Sequence, residues 1–291
     1  MKRPDLSENT GNAPPRIGGE LVPDDLEHRR AEEVAIILDF ARREARCLVD
    51  SQPAEIRDVG RIQLIKPAAL YRHLDSRVSI RRYQRKADQV AATVGYGRLL
   101  DWGSFCGQMT FLLLRRGVDA VPFDIEQNRL PRTLNQLLGR PTVYSRDLVR
   151  LPFEDASLDA VLSCGTLEHV ADPTASLQEI RRILKPDGRL VIYNLPNLLS
   201  WVEVILRFRG IGHERRYLLS RAERWLLSEG FAVDVSGYEN VLPCSLSSVS
   251  GLLRSILFPV VNALNVVEPG LEATPPFCWF ATNLTLIATK R

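Results

Sequence analysis

The sequence predicts an α/β fold: a doubly wound, mostly parallel seven-stranded sheet with helices on both faces, an N-terminal helical extension and a C-terminal apolar cap insertion. Three observations predict it. Short apolar segments alternate with longer helical patterns from residue 98 onward, which is the rhythm of βαβ units. A loop containing Gly103 and Gly107 joins an apolar strand to a helix. Glycines also stand at or near the ends of the presumed crossover helices, where φ > 0 is favoured: Gly117, Gly139 and Gly188.

Taken in order, residues 1–23 are rich in proline, glycine and charge without apolar periodicity, and read as a flexible leader. Residues 24–95 form the helical segment. Val34, Leu38, Ala41, Ala45 and Leu48 recur at helical spacing, with Asp24, Asp25 and Glu27 at the start and Arg42, Arg43 and Arg46 towards the end, matching the helix dipole. Residues 52–79 carry no clear pattern, and a second helix is expected over 78–94.

The domain proper is expected over 96–291. Its strands are placed at 98–102, 120–123, 142–144, 160–162, 190–193, 232–235 and 278–289, with crossover helices at 109–116, 128–138 and 175–184. A further helix over 221–228 would be capped by Ser220, with Glu223 completing a capping box.

Composition excludes several classes. With 291 residues, 45% hydrophobic and 25% charged, the chain suits an ordinary globular protein. A net charge of +3 from 38 basic and 35 acidic residues argues against a dedicated nucleic-acid binder. No apolar stretch follows the basic start, so a secretory signal is not indicated and a cytoplasmic location is expected. The five cysteines, Cys47, Cys106, Cys164, Cys244 and Cys278, contain no C-x-x-C pair, so neither a disulfide framework nor a metal site is expected.

Chemistry concentrates after residue 98. The stretch Leu99 to Gly117 reads strand, acid, glycine loop, helix, and its loop falls where an open parallel sheet binds small ligands. Asp124 closes the second strand about twenty residues on, placed to accept hydrogen bonds from ribose hydroxyls. A nucleoside-containing cofactor follows from that pair.

Downstream, RDLVRLPFEDASLDAVLSCGTLEHVADPTASLQEIRRILKPDGRLVI resembles the class I, Rossmann-like S-adenosylmethionine-dependent methyltransferases, in particular the subgroup with LPF-x-D, LEHV-x-DP and LKP-x-G motifs. The resemblance is close over about 96–194. It implies S-adenosylmethionine as cofactor, with Asp101, Gly103 and Gly107 at its methionine and ribose portions and Asp124 at the ribose hydroxyls. It also places Asp147 at the adenine amino group, Ile125 and Leu148 on either face of the adenine, and the backbone near Cys164 and Gly165 along the cleft floor. Asp124 as a strand-end turn residue and Asp147 as a cap are the plainer readings. The family loop reads D-x-G-x-G-x-G, whereas Phe105 occupies the middle glycine position here. Either this residue has ordinary φ or the loop is reshaped, and its ring packs either beside the sulfonium or against the neighbouring helix.

Methyl transfer is an in-line displacement, so a base is needed only for a protonated acceptor. His169 in the LEHV segment is the first candidate base, with Glu168 either orienting it or standing as a solvated carboxylate, and His213 is the second; each has a positional reading beside it. The basic run Arg81, Arg82, Arg85 and Lys86 is either a solvated helix face or an anion contact, with Tyr83 a candidate lid residue.

The insertion at 239–277 carries only Arg254 as a charge between Glu239 and Glu268, and Pro259 interrupts it, so it is too short for a spanning helix. It reads as a buried cap, a dimer surface or a membrane-peripheral segment over 240–267 that receives a lipid-linked acceptor. The expected function is methyl transfer to a small or lipid-linked hydroxyl, a sugar or glycan first and an aromatic natural product second. A non-catalytic binding or scaffold relative is the alternative. No Tyr-x-x-x-Lys pair supports an oxidoreductase, and no Pro-Pro-aromatic segment after the fourth strand supports a nucleic-acid base methyltransferase.

Overall fold

The computed structural model describes residues 23–50, 55–58, 61–64, 71–208, 212–242, 259, 263, 264 and 266–291. The leader and most of the 240–267 stretch lie outside the described residues.

The elements run α1 (Pro23–Asp50), β1 (Glu55–Asp58), β2 (Arg61–Leu64), α2 (Arg77–Val94), β3 (Arg98–Trp102), α3 (Gln108–Leu114), β4 (Asp119–Ile125), β5 (Val143–Ser145), β6 (Leu158–Cys164), α4 (Pro173–Ile183), β7 (Leu184–Pro196), α5 (Trp201–Phe208), α6 (Leu219–Ser228), β8 (Phe231–Glu239), α7 (Glu268–Ala273) and β9 (Asn283–Lys290). The main sheet has the order β5-β4-β3-β6-β7-β9-β8, and β9 pairs antiparallel with both of its neighbours. The chain winds outward from β3 to β5 and then restarts at β6 on the other side of β3. That reversal opens a crevice at the carboxyl ends of β3 and β6, where such sheets bind ligands.

Strand alternation feeds two cores. Leu99, Ala160, Leu162, Val191 and Tyr193 pack with residues of α1, α2 and α3, including Ile37, Ile80 and Leu112. Their neighbours Leu100, Val161, Leu190 and Ile192 pack on the other face with Leu177 and Ile180 of α4 and Ala222 and Leu226 of α6. Because side chains alternate across a strand, near-continuous apolar runs are what a sheet covered on both faces requires. The N-terminal helices therefore share the core of the sheet. Glu33, wholly buried on α1, reinforces this by pairing with Arg116 at 3.1 Å and accepting from Gln84 of α2 at 2.7 Å.

Several expectations are corrected. Residues 128–138 form no continuous helix but two 3-10 turns, Glu126–Asn128 and Leu134–Leu138, because Pro131 between them lacks an N–H and disfavours helical backbone at Leu130 before it. Gly117 (φ 80°) and Gly139 (φ 68°) adopt the left-handed region, but Gly188 does not; Asp187 does, at φ 60°. Gly188 is required for space instead, since a Cβ there would meet the Lys185 carbonyl at 2.8 Å. Helix α6 begins at Leu219 with Leu218 as its N-cap and no side-chain cap, so Ser220 lies inside the first turn. Glu223 accepts from Ser236 rather than closing a capping box. Cys278 sits in a 3-10 turn, Phe277–Phe280, and the last strand starts only at Asn283. The antiparallel ribbon β1–β2 falls in the stretch without pattern.

Candidate active site

The glycine loop is held at both ends. Gly103 and Ser104 both donate to the Phe123 carbonyl at 2.9 Å, which ties the end of β3 to the end of β4. Asp101, buried at the end of β3, accepts from the Thr110 backbone at 2.9 Å and its hydroxyl at 2.6 Å, fixing α3 to the same strand. Burial pushes its carboxyl up to about 6, against the opposing Thr110 hydrogen bonds.

Phe105 settles into the left-handed region at φ 45°, so the loop keeps the backbone shape a glycine would supply. The strain of order 1 kcal/mol is sustained because its N–H donates to Asp124 Oδ2 at 2.8 Å. Its ring joins the α1–α3 core and lies 6.3 Å from the His73 ring, which is the packing reading rather than the sulfonium one. Asp124 also accepts at Oδ1 from the Ile125 N–H (2.8 Å) and the Asn128 amide (2.9 Å). A carboxylate has about four acceptor positions, so these three leave capacity at Oδ2 for a ribose hydroxyl. Burial raises the Asp124 carboxyl as well.

Both loop glycines accommodate close neighbours. A Cβ on Gly103 would lie 2.3 Å from Thr166 Oγ1, and one on Gly107 would lie 1.8 Å from Asn135 Oδ1. Ser104 Oγ, Gln108 Oε1, Asn135 Oδ1 and Ser163 Oγ are buried without a hydrogen-bond partner around this loop and the adjoining end of β6. Buried polar atoms of that kind are what a polar ligand satisfies, so the residues fit the ammonium, carboxylate and ribose groups of S-adenosylmethionine.

The expected adenine residues are more dispersed. Ile125 is half-buried at the end of β4, and β5 brings the following loop beside it through the Ile125–Ser145 register. Asp147 and Leu148 in that loop are exposed. Asp147 Oδ1 accepts from the Val149 and Arg150 N–H groups, a local turn that holds its carboxyl below the usual range. A cavity of about 330 Å³ is lined by Arg129, Leu130, Pro131, Gln136 and Tyr144, and includes none of the residues assigned to the cofactor. Cys164, at the end of β6, accepts from the Asn194 amide at 3.3 Å, and burial pushes its thiol up to about 12.

The second half of the crevice is built by the LEHV segment and the loop before α6. Thr166 donates to the Trp102 carbonyl at 3.0 Å, and Asp172 caps α4 with Pro173 in its first turn. Arg215 donates to the Val170 and Ala171 carbonyls, while Tyr217 donates its backbone N–H to the Pro196 carbonyl and accepts at its own carbonyl from the Leu198 N–H. These ties bring His213 to His169, with ring centroids 5.4 Å apart. Burial pushes the Glu168 carboxyl up to about 7.

Sequence reasoning missed Glu203, the buried acid of α5, whose carboxylate accepts from both the backbone N–H (2.9 Å) and Nδ1 (2.8 Å) of His213. A lone acid among Trp201, Val202, Val204 and Ile205 was the available signal. The basic run is also resolved differently from either expectation. Arg82 is buried against Glu268 at 2.5 Å, and Lys86 pairs with Glu239 at 2.9 Å and donates to Asn194, so α2 is latched over the carboxyl ends of β7 and β8. Arg85 stays exposed, 3.8 Å from Glu268.

Known proteins resemble the chain over the segment that holds this site. A family described as "Methyltransferase domain" matches residues 100–192. The demethylmenaquinone methyltransferase of Clavibacter sepedonicus is 34% identical over 106 residues, covering 36% of this chain and 43% of that protein. The ubiquinone/menaquinone biosynthesis C-methyltransferase of Citrifermentans bemidjiense is 30% identical over 128 residues, covering 40% and 54% respectively. The chain thus spans about half the length of these curated relatives. Among solved structures, a putative sarcosine dimethylglycine methyltransferase from Galdieria sulphuraria superposes with a TM-score of 0.50 at 19% identity, covering 73% of this chain and 86% of that one, a likeness of fold. The segment that matches the methyltransferase-domain family, residues 100–192, is the one that holds the glycine loop, the acid at the end of β4 and the LEHV segment, and in this part the chain is similar to S-adenosylmethionine-dependent methyltransferases.

Proposed function

We propose that this protein transfers the methyl group of S-adenosylmethionine to a hydroxyl of a small or lipid-linked acceptor, a sugar or glycan in the first instance. The observation that carries the reading is the convergence of His169 and His213, from segments 44 residues apart, at the carboxyl edge of the sheet. Asp101, Asp124 and the glycine loop would hold the donor, and the imidazoles would meet the acceptor. In-line alignment of an acceptor oxygen with the sulfonium methyl supplies much of the rate, and an imidazole at this position takes the hydroxyl proton as the new bond forms.

Support for an apolar portion of the acceptor comes from α5 and the Phe277–Phe280 turn. Val204, Ile205, Phe208, Phe277, Trp279 and Phe280 are exposed, and Asn197 holds the turn beside the end of β7 by donating to the Trp279 carbonyl at 2.9 Å. No described helix is long and apolar enough to cross a membrane. Peripheral contact through the 240–267 region and a cytoplasmic location complete the proposal.

A second reading, methylation of a ring carbon in a quinone-type acceptor, is favoured by the names of the two relatives. The test is transfer of a labelled methyl group from S-adenosylmethionine to a panel of glycan, lipid-linked sugar, phenolic and quinol acceptors. Labelled ether product supports the hydroxyl reading, and a carbon-bound methyl replaces it with the second. Absence of transfer to every acceptor, with cofactor binding intact, favours a non-catalytic binding protein. Sedimentation with anionic liposomes at low salt tests membrane contact; a protein that stays in the supernatant removes it.

A further inference from the structure

Three side chains of different chemistry end at one point beside the crevice. One ligand-capable atom from each of Glu168, His169 and His213 lies within 4.8 Å of the other two. His169 Nε2 is 3.8 Å from Glu168 Oε1, and the two imidazole rings are 5.4 Å apart. Behind His213, Glu203 grips both the backbone N–H and Nδ1. An imidazole that donates from Nδ1 to a carboxylate carries its lone pair on Nε2, and this carboxylate–histidine arrangement is the one that orients and strengthens a metal-binding ring.

We propose that Glu168, His169 and His213 bind one divalent transition-metal ion of the zinc class, which takes the oxygen of the acceptor hydroxyl. The acceptor half of this proposal rests on the hydroxyl reading above; the metal half rests on the donor set alone. Two imidazoles and one carboxylate suit zinc and its first-row neighbours, whereas magnesium and calcium select oxygen. Three protein ligands leave a position open for substrate, the arrangement of catalytic rather than structural sites. Donor atoms at about 2.0 to 2.1 Å around a tetrahedral ion are about 3.4 Å apart, so the cluster closes by roughly an ångström on loading. His169 is the exposed member and is the one able to swing, while Glu168 is buried and His213 is held by Glu203.

Acid–base work uses only one of the two rings. One imidazole suffices as a base, which leaves the second ring without a part. A shared cation gives both rings a role. In the reaction, the acceptor oxygen coordinates the ion, which takes over the activating part given above to an imidazole base, and its proton passes to water. An oxygen lone pair then forms the O–CH3 bond while the C–S bond breaks, and that electron pair remains on sulfur as neutral S-adenosylhomocysteine. Water displaces the methyl ether from the ion.

The experiment uses the full chain, stripped with a chelator and titrated with zinc ions, and separately with cobalt(II) as an optical probe. S-adenosylhomocysteine is titrated in parallel. One ion per chain is expected, with visible cobalt bands and affinity falling at least tenfold in His169→Ala, His213→Ala and Glu168→Gln. Glu203→Gln should weaken the metal by about 10- to 100-fold as a second-layer partner. Each variant should keep S-adenosylhomocysteine affinity within about threefold, which also verifies folding. Substoichiometric metal, or metal binding indifferent to all three substitutions, overturns the metal site while leaving the methyltransferase assignment in place. A wild-type chain that binds zinc at the triad but not S-adenosylhomocysteine overturns the acceptor role and the methyltransferase reading, and upholds the ion site.

Discussion

The Phe105 backbone N–H donates to Asp124 Oδ2 at 2.8 Å, so the acid expected at the ribose also holds the one non-glycine loop residue in its left-handed conformation. Asp124 is therefore both a cofactor ligand in the proposed site and the latch of the loop that forms the rest of it. Two roles on one carboxylate make separate consequences measurable.

Asp124→Ala should weaken S-adenosylmethionine by more than tenfold, because charged hydrogen bonds contribute about 1.5–3 kcal/mol each and both ribose recognition and loop shape are lost. Calorimetric titration of the wild type and the variant checks this. Unchanged affinity would remove Asp124 from the site.

Phe105→Gly separates backbone strain from packing. Glycine removes a penalty of order 1 kcal/mol but gives up a partly buried ring contributing less than the about 1.5–3 kcal/mol of full burial and loosens the unfolded chain. The net expectation is a destabilisation of about 1 kcal/mol, read by denaturant unfolding, with cofactor affinity little changed. A stabilised variant would show that strain outweighs packing here.

In the proposed site, Asp101 would link cofactor binding to pH. Its folded carboxyl stands at about 6 against an ordinary 3.8, so folding favours the protonated form. The contribution to stability is fully present below pH 3.8 and is lost as pH rises through 6, on the order of 3 kcal/mol by pH 7. Asp101→Asn should raise the stability of the cofactor-free protein at pH 7 and flatten its slope between pH 4 and 6 relative to wild type. Affinity for the cationic cofactor should fall in the variant at all pH values, and in wild type as pH drops below about 6. Parallel unfolding curves for the two proteins across that window would contradict the assignment.

The Arg82–Glu268 pair tests how α2 is fixed over the sheet. Both partners are buried, so Glu268→Ala strands a guanidinium and should cost about 3–5 kcal/mol. Replacing both by apolar residues, Arg82→Met with Glu268→Leu, should recover most of that loss. Equilibrium denaturation of the single and double variants measures it, and a single variant within 1 kcal/mol of wild type would show the charge is relieved elsewhere.

Much of this architecture is legible along the chain because it depends on local periodicity. The strands at Leu99, Ala120, Ala160 and Leu190 are apolar runs covered on both faces, and α1, α2 and α4 carry one-sided stripes; both patterns follow from burial and need no partner to be read. The glycine loop and Asp124 are legible for a similar reason, since backbone shape and a strand-end acid leave their mark within about twenty residues.

What required tertiary structure is every feature built from segments distant in the chain. Nothing near His213 announces His169, 44 residues before it, and Arg82 reads as a solvated cation until Glu268 closes over it from 186 residues away. Phe105 looks incompatible with its position until Asp124 and the Phe123 carbonyl are seen to hold the loop. Local propensity and periodicity are short-range energies that each residue carries with it. Charge pairing, strain relief and the convergence of polar groups are pairwise energies that exist only once the sheet order has brought the partners together.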